Sequence, residues 1–383
     1  MPITLSRRGA TEPFHAMDVL ARANRLRAAG HDVVSLAVGQ PSDPAPAKVL
    51  EAAGRGLAEG RIGYTDSLGM MRLRAAIADH YRDHYGVSVP AGRVVVTTGS
   101  SAAFNLAFLG LFDAGARVAI AAPGYPAYRN IMSALGIDVV EVDATATGNL
   151  TADHLREAHR EKPLDGVLFA SPANPTGAVI AREELEGILA FCREAKITAI
   201  SDEIYHRLSF TGPDVTALSI DPDATVINSF SKYYCMTGWR IGWMIVPEAA
   251  VRQIECLQQS LYISPPELSQ IAAIEAFAAS AELDLVKDRY RANRALLAER
   301  LPGLGLPLAA PMDGGFYAYC DISRYSNDSM DFANRALDEA HVAITPGIDF
   351  DPHNGQRTVR LSYAGSTSDI ETALERLAHW LKK

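Results

Sequence analysis

The sequence of 383 residues is poor in cysteine and has no excess of positive charge. No CxxC pair occurs, which excludes a CxxC redox motif or a zinc knuckle, and four cysteines in 383 residues are too few for a disulfide framework. A reducing compartment, the cytoplasm, is therefore expected. Lysine and arginine total 36 against 45 acidic residues, and the net charge of −9 argues against a nucleic-acid or anionic-membrane partner. We predict no metal site. The four cysteines are Cys192, Cys235, Cys256 and Cys320.

Long apolar segments are also scarce. Residues 1–14 contain no apolar core of the kind that a signal peptide needs. The uncharged stretch Val94–Phe112 approaches the length of a membrane-spanning helix. Its middle, Thr97–Ser101, is polar and would be costly to bury in lipid. We therefore interpret this stretch as a buried strand, a polar turn and a buried helix, and we expect no membrane partner.

Short apolar segments rich in β-branched residues recur through the middle of the chain. Most lack polar alternation, which is typical of strands covered by helices on both faces of a parallel sheet. Helical patterns such as Glu183–Ala195 lie between several of them and predict α/β architecture. Only Phe230–Arg240 separates the last two strands, which is short for a crossover, so we expect the last strand to run antiparallel. The predicted strands are Val94–Thr98, Val118–Ala122, Val139–Val142, Val167–Ala170, Ile197–Ser201, Val226–Ser229 and Ile241–Val246.

The C-terminal part alternates between helix and strand patterns. Its last segment has the pattern of an amphipathic helix, and Ser368 with Glu371 predicts a capping box at the start of that helix. The other predicted elements are a helical stretch over Pro265–Leu301, a strand over Gly315–Ile322, a helix over Asp331–Ala340 and a strand over Thr358–Tyr363.

Lys232 differs from the other lysines because it lies just beyond a predicted buried strand and not among charged neighbours. Ligands bind at the carboxyl ends of strands in open α/β sheets. A lysine desolvated there shifts its pKa readily and can act as a Schiff-base amine. This segment alone leaves open a lysine that merely reaches from the rim of the sheet into solvent.

Polar residues follow two further predicted strands. Ser171–Gly177 comes after one strand, and Ser201–Tyr205 comes at the end of another. Asp202 is a single carboxylate that emerges from an apolar strand. Taken alone it is more typical of a helix N-cap than of a catalytic group.

Four motifs occur in one order along the chain. They are Asn-Pro-Thr-Gly at 174–177, Ser-Asp-Glu-Ile-Tyr at 201–205, Ser-Phe-Ser-Lys at 229–232 with Gly-Trp-Arg-Ile-Gly at 238–242, and Arg-Leu-Ser-Tyr-Ala at 360–364. From about Pro41 to the C-terminus the chain resembles the class I/II aminotransferases, pyridoxal 5'-phosphate enzymes of fold type I. Each motif alone is weak, whereas four in order are highly specific.

The resemblance implies a fold with two domains. The large domain has a mostly parallel, seven-stranded mixed sheet between helices, and a smaller α+β domain is built from both chain ends. The implied boundaries are an N-terminal segment over 1–45, a large cofactor-binding domain over 46–285 and a small domain over 286–383.

The resemblance also assigns the catalytic residues. Lys232 corresponds to the lysine that forms the internal aldimine with the cofactor and then moves the substrate proton. Asp202 corresponds to the aspartate that keeps the pyridine nitrogen protonated, and that attraction should depress the pKa of the carboxyl. Asn174 and Tyr205 correspond to the groups that hydrogen-bond the phenolic oxygen of the cofactor.

A small-residue turn is a candidate phosphate site. Gly99, Ser100 and Ser101 lie between a predicted strand and a predicted helix, where backbone N–H groups can bind an anion. Without the other motifs this would be an ordinary tight turn. The resemblance assigns Ser229 and Arg240 as further phosphate ligands.

Two tyrosines are assigned by the resemblance alone. Tyr125 corresponds to the aromatic residue that stacks on the pyridine ring. Tyr64 corresponds to a tyrosine that reaches the phosphate in the neighbouring subunit. The implied assembly is a homodimer with shared active sites.

The resemblance assigns Arg360 to the substrate α-carboxylate, which a planar guanidinium binds in bidentate fashion and a lysine would bind poorly. Taken alone, an arginine on such a strand is more typical of a solvated face. Gly39, within Val38–Pro41, corresponds to a turn whose backbone faces the same carboxylate, although Gln40 replaces the commoner glutamate. Asn174 is also expected beside the substrate.

The side-chain pocket departs from that of aspartate enzymes. Some prokaryotic aspartate aminotransferases carry a lysine where Ser100 stands, and others use a partner arginine near the position of Leu261 and Tyr262. Neither cation is present, and burying an unpaired carboxylate costs several kcal/mol, so aspartate is not expected as the main substrate. Phe14, His15 and Met17 predict a pocket for neutral or aromatic side chains, with packing of the small domain as the alternative.

The predicted function is transfer of an amino group from an L-amino acid to a 2-oxo acid by ping-pong transamination through a Schiff base on Lys232. Another reaction of the same cofactor, such as β-elimination, decarboxylation or amino-acid oxidation, is the alternative. A cofactor-sensing domain of a transcription regulator ranks last, because only about 40 residues precede Gly39 and no basic stripe is present.

Overall fold

The computed structural model describes residues 3–382. Its α-helices are α1 (His15–Ala28), α2 (Ala47–Ala58), α3 (Met71–Tyr85), α4 (Gly99–Leu111), α5 (Pro126–Leu135), α6 (Ala152–Glu161), α7 (Arg182–Ala195), α8 (Glu248–Leu261), α9 (Glu267–Ala276), α10 (Ser280–Gly303), α11 (Ser329–Ala340) and α12 (Thr367–Trp380). Its strands are β1 (Val34–Ser35), β2 (Val94–Thr97), β3 (Arg117–Ala122), β4 (Asp138–Asp143), β5 (Gly166–Ala170), β6 (Thr198–Asp202), β7 (Thr225–Ser229), β8 (Gly242–Ile245), β9 (Tyr317–Asp321), β10 (Val342–Ala343), β11 (Thr345–Pro346) and β12 (Thr358–Ser362).

The large sheet has seven strands in the order β2-β8-β7-β6-β5-β3-β4. The five strands β7, β6, β5, β3 and β4 run parallel to one another. Strand β8 is antiparallel to both β2 and β7, because the short connection after β7 turns straight back along the sheet. The predicted α/β class, the seven strands and the reversed direction of the last strand are confirmed.

The pattern of burial explains why these segments form a covered sheet. Every residue of β2, β7 and β8 is buried, as expected for strands with helices on both faces. Helix α7 buries Leu185, Ile188 and Leu189 on its inner face. Burial of each such side chain contributes about 2 kcal/mol of hydrophobic stabilisation. The amphipathic pattern of α7 therefore fixes which face meets the sheet.

A smaller region lies beside the large sheet. Strands β11, β12 and β9 form an antiparallel sheet, and β1 pairs in parallel with β10. The pairing of Val34 with Val342 brings the N-terminal and C-terminal parts of the chain together. The predicted boundaries at residues 45 and 285 stay predictions.

The start of α12 differs from the sequence prediction. Ser366 is the N-cap, and its hydroxyl accepts a hydrogen bond of 3.1 Å from the amide of Asp369. The capping box predicted from Ser368 and Glu371 is wrong because Ser368 already lies inside the first turn. No helix within residues 3–382 combines the length and the apolar character needed to cross a membrane.

Candidate active site

A cavity of about 460 Å³ opens beyond the carboxyl ends of β5, β6 and β7. Its size is that of a site for a small molecule or cofactor. Most of the residues singled out from the sequence line it. These are Phe14, Gly39, Ser100, Ser101, Tyr125, Asn174, Asp202, Tyr205, Lys232, Arg240 and Arg360.

Lys232 follows β7 and is half-buried in the cavity wall. Its Nζ donates a hydrogen bond of 2.7 Å to the carbonyl oxygen of Gly39. Burial, together with the positive charges of Arg360 and Arg240, lowers the pKa of Lys232 to about 8, although Asp202 acts in the opposite direction. A larger fraction of this amine is therefore neutral near pH 7 than for a solvated lysine, and a neutral amine can attack a carbonyl.

Asp202 is the last residue of β6 and is buried. Tyr128 donates its hydroxyl to Oδ2, and the amide of Ile204 donates to Oδ1 at 3.0 Å. Burial raises the pKa of Asp202 to about 6 despite these two donors. The sequence predicted a depressed pKa beside a protonated ring, whereas the surrounding protein raises it. A depressed pKa of Asp202 would therefore require a bound cation.

Tyr205 contacts a residue that the sequence pattern did not single out. Its hydroxyl lies 2.7 Å from that of Tyr317, at the start of β9. A Cβ atom at Gly39 would lie 1.7 Å from the Tyr317 hydroxyl oxygen, so only glycine fits there. Tyr317 could be predicted as part of a strand, but its place in the site depends on the packing of the small sheet against the large one.

Arg360 is a buried cation, with 3% of its surface exposed. Its Nη1 donates to Asn174 Oδ1 at 2.8 Å, and its Nη2 donates to the carbonyl of Ala37 at 2.7 Å. Its Nε is buried without a hydrogen-bond partner. The rings of Tyr317 and Phe350 lie 4.2 and 4.6 Å from the guanidinium carbon.

No carboxylate within residues 3–382 forms a salt bridge with Arg360. Leaving a buried charge unpaired costs several kcal/mol, and a bound anion would relieve that cost. The geometry of this arginine therefore fits a carboxylate ligand.

The start of α4 has the geometry to hold an anion. Gly99 has a φ of +70°, and a Cβ there would lie 2.4 Å from Nη2 of Arg240. The first amide groups of a helix have no partner inside it, and the helix dipole favours an anion. Ser100, Ser101 and Arg240 all face the cavity at this point, which gives the donor set for a phosphate.

One hydroxyl group that the resemblance assigned to the phosphate, that of Ser229, does not line the cavity. Ser229 is buried outside the lining of the cavity, and its Oγ donates to Ser231 Oγ at 2.8 Å. Ser231 and Thr237 line the cavity instead, although the sequence pattern did not single them out. Ser229 and Ser231 are two residues apart in the same motif, and the sequence does not show which of them faces the cavity. The backbone path after β7 decides this.

The remaining predicted residues divide between the wall and the surface. Tyr125 lines the cavity, and the Phe14 ring packs edge-on against it with centroids 5.8 Å apart. The His15 side chain does not line the cavity, and its Nδ1 lies 3.9 Å from an oxygen of Asp18. Tyr64 is 81% exposed and lies outside the cavity of its own chain.

A nucleophilic amine and a guanidinium without a counterion share this cavity, which suits chemistry on amino acids. The sheet order and the site together define an aminotransferase of fold type I. The family described as "Aminotransferase class I and II" matches residues 31–377. The chain belongs to this family.

Known proteins of similar sequence and structure carry aminotransferase names. The valine–pyruvate aminotransferase of Mycobacterium tuberculosis is 48% identical over 98% of this chain and 97% of its own length. The aspartate/prephenate aminotransferase of Thermus thermophilus is 36% identical over 98% of each chain. The crystal structure of an aminotransferase from Mycobacterium tuberculosis superimposes with a TM-score of 0.96 at 46% identity, covering all of both chains.

Proposed function

We propose that this aminotransferase transfers the amino group of a neutral L-amino acid such as valine to a 2-oxo acid such as pyruvate. Among residues 3–382, the cations that line the cavity are Lys232, Arg240 and Arg360. In this proposal Arg240 binds the anion at the start of α4 and Arg360 binds the α-carboxylate, so neither is left for a second carboxylate. The wall from α1 is apolar, and its lining residues are Phe14, Ala16, Met17 and Leu20. The name of the relative from Mycobacterium tuberculosis supports valine and pyruvate as test substrates.

The residues of the cavity fit pyridoxal 5'-phosphate as the cofactor. Lys232 would hold its aldehyde, and the start of α4 with Arg240 would hold its phosphate. Asp202 would hold a protonated ring nitrogen. Burial raises the pKa of this carboxyl, and a cationic partner would stabilise its charged form. Asn174 accepts from Arg360 through its oxygen, which leaves its NH₂ group, together with the Tyr205 hydroxyl, for the phenolic oxygen.

When bound, this cofactor supplies a carbonyl for the substrate amine and an electron-withdrawing ring. The protein supplies position and proton transfer. Arg360 binds the α-carboxylate, and the flanking rings of Tyr317 and Phe350 exclude water from the guanidinium, which strengthens the contact. Lys232 Nζ, once neutral, can take the proton from the substrate Cα and return it. The contact with Arg360 would hold the substrate Cα–H bond in one orientation, and this lowers the activation barrier because the entropy of orientation is already lost on binding.

Comparison of valine with aspartate as donor, with pyruvate as acceptor, tests the proposed substrate class. We expect kcat/KM to be at least about a hundredfold higher for valine, because a second carboxylate would be buried without a cation. Equal amounts of alanine and 2-oxoisovalerate should form. Equal use of aspartate would contradict the proposed substrate class, and release of ammonia without a 2-oxo acid requirement would favour elimination or oxidation over transamination.

We also propose a homodimer in which Tyr64 reaches the site of the partner. The loop that carries Tyr64 is tied to the segment after α8 by hydrogen bonds from Gly63 to Glu267 and from Thr65 to Ser264. Exposed apolar side chains surround these two segments, a surface typical of an interface. They are Leu57, Ile62, Leu261 and Ile263.

Mixing two inactive variants tests the shared site. Tyr64→Ala and Lys232→Ala homodimers should each be impaired. A one-to-one hybrid mixture, denatured and refolded together, should regain up to about a quarter of wild-type activity, because half of the dimers then hold one intact site. Full activity in a monomer by analytical ultracentrifugation would contradict the proposal, as would a mixture no more active than its components.

A further inference from the structure

The first turn of α1 is held by a residue more than 300 positions away. The N-cap position, Phe14, offers no side-chain acceptor. The amide of His15 donates to Asp349 Oδ1 at 3.0 Å, and the amide of Ala16 donates to Asp349 Oδ2 at 3.1 Å. One carboxylate thus binds the first two amides of the helix, where the helix dipole also favours negative charge.

Asp349 belongs to a segment that is fixed against the active site. Gly347 packs so closely on β12 that a Cβ there would lie 2.0 Å from Thr358 Oγ1, two residues before Arg360. Phe350 follows Asp349 in the chain, and its ring packs on the Arg360 guanidinium. The carbonyl oxygen of Phe350 accepts a hydrogen bond from the amide of Gly124. Asp349 itself has 2% of its surface exposed, so its carboxylate has little room to move.

The first turn of α1 forms part of the cavity wall. Phe14, Ala16 and Met17 line the cavity. The later part of α1 is anchored separately, because Arg22 forms a salt bridge with Asp338 of α11 and Val19 is buried. Loss of the Asp349 contacts would therefore release the first turn while the rest of the helix stays in place.

We propose that Asp349 is a positioning residue for substrate selection, which sets the wall that the substrate side chain meets by holding the first turn of α1. This inference rests on the proposed function, in which the cavity admits an amino acid. Valine reaches further from its Cα than alanine does. A displaced wall should therefore penalise valine and leave alanine, the amino form of pyruvate, almost unaffected.

The experiment compares Asp349→Asn and Asp349→Ala with a matched control, Asp351→Asn. Asp351 is buried to the same extent in the same loop, but its carboxylate accepts from the nearby amides of His353 and Asn354 and not from α1. Asparagine is isosteric with aspartate and keeps one acceptor, so it serves if the alanine variant does not fold. Hydrogen–deuterium exchange of the full-length protein is measured over residues 12–28, together with kcat and KM for L-valine and L-alanine.

We expect faster exchange in the Asp349 variants, confined to the first turn of α1, and no such change in Asp351→Asn. For valine, kcat/KM should fall by about tenfold, mainly through KM, with a change below about twofold for alanine. Equal losses for both donors would overturn the proposal, because they would indicate a general structural role. Unchanged exchange in the first turn would overturn it independently of turnover. Wild-type enzyme that uses neither donor would contradict the proposed function itself.

Discussion

Replacing Lys232 with alanine is expected to remove nearly all transamination, with kcat falling by about a thousandfold or more. The reason is that Lys232 is the one lysine within residues 3–382 that lines the cavity, and burial lowers its pKa to about 8, so that more of its amine is neutral than in a solvated lysine. Alanine removes both the nucleophile and the group that moves the α-proton. Steady-state turnover with the best donor, and the visible absorbance of the reconstituted protein, are the measurements.

Lys287→Ala is the matched control for this loss. Lys287 is also partly buried with a lowered pKa, but it lies on α10 outside the cavity. Removing it should leave turnover within about twofold of the wild type, as for most substitutions away from a site. Substantial activity in Lys232→Ala, with the absorbance of the wild type, would refute the assignment of this lysine.

Replacing Arg360 with alanine is expected to lower kcat/KM by about a hundredfold or more for every amino acid tested. All these substrates share the α-carboxylate, which would lose the buried guanidinium of β12 that we propose binds it. Arg360→Lys should recover part of the loss but not all of it, because an ammonium group lacks the planar fork of a guanidinium. The measurement is kcat/KM over a panel of neutral, aromatic and acidic donors.

Arg357→Ala is the matched control, because it removes one positive charge next to β12 without removing Arg360. Arg357 precedes β12 and is exposed, so its removal should change no donor by more than about twofold. Equilibrium unfolding of each variant separates loss of binding from loss of fold. A defect confined to a single donor would mean that Arg360 reads a side chain and not the shared carboxylate.

The residues that were predictable lie at the ends of buried strands. Lys232 and Asp202 could be singled out as candidates because each is a polar residue at or just beyond the end of an apolar strand, and the family resemblance then assigned their roles. The antiparallel direction of β8 was predictable for a similar local reason, the shortness of Phe230–Arg240. The residues that follow each strand in the sequence are thus the ones that lie at the carboxyl end of that strand, where ligands bind in such sheets.

The residues that were missed depend on contacts between distant segments. Tyr317 meets Tyr205 across 112 positions, and Tyr128 meets Asp202 across 74. No periodicity links such pairs, so only the packed structure reveals them. Ser231 lines the cavity in place of Ser229, and Ser366 caps α12 in place of Ser368, each two residues from the predicted serine. Backbone geometry decides between the two serines of each pair, and composition does not encode it.

The pairing of β1 with β10 also has a consequence for the order in which this protein folds during synthesis. The hydrogen bond from Thr345 to the carbonyl of Ala37, next to this pair, spans 308 positions. At roughly 5–20 residues per second, about 15 to 60 s pass between synthesis of its two partners. The large sheet can form in that interval, whereas the N-terminal segment must wait for its strand partner. The N-terminal segment, which carries part of the cavity wall, can therefore reach its final packing only after every strand of the large sheet has been synthesised.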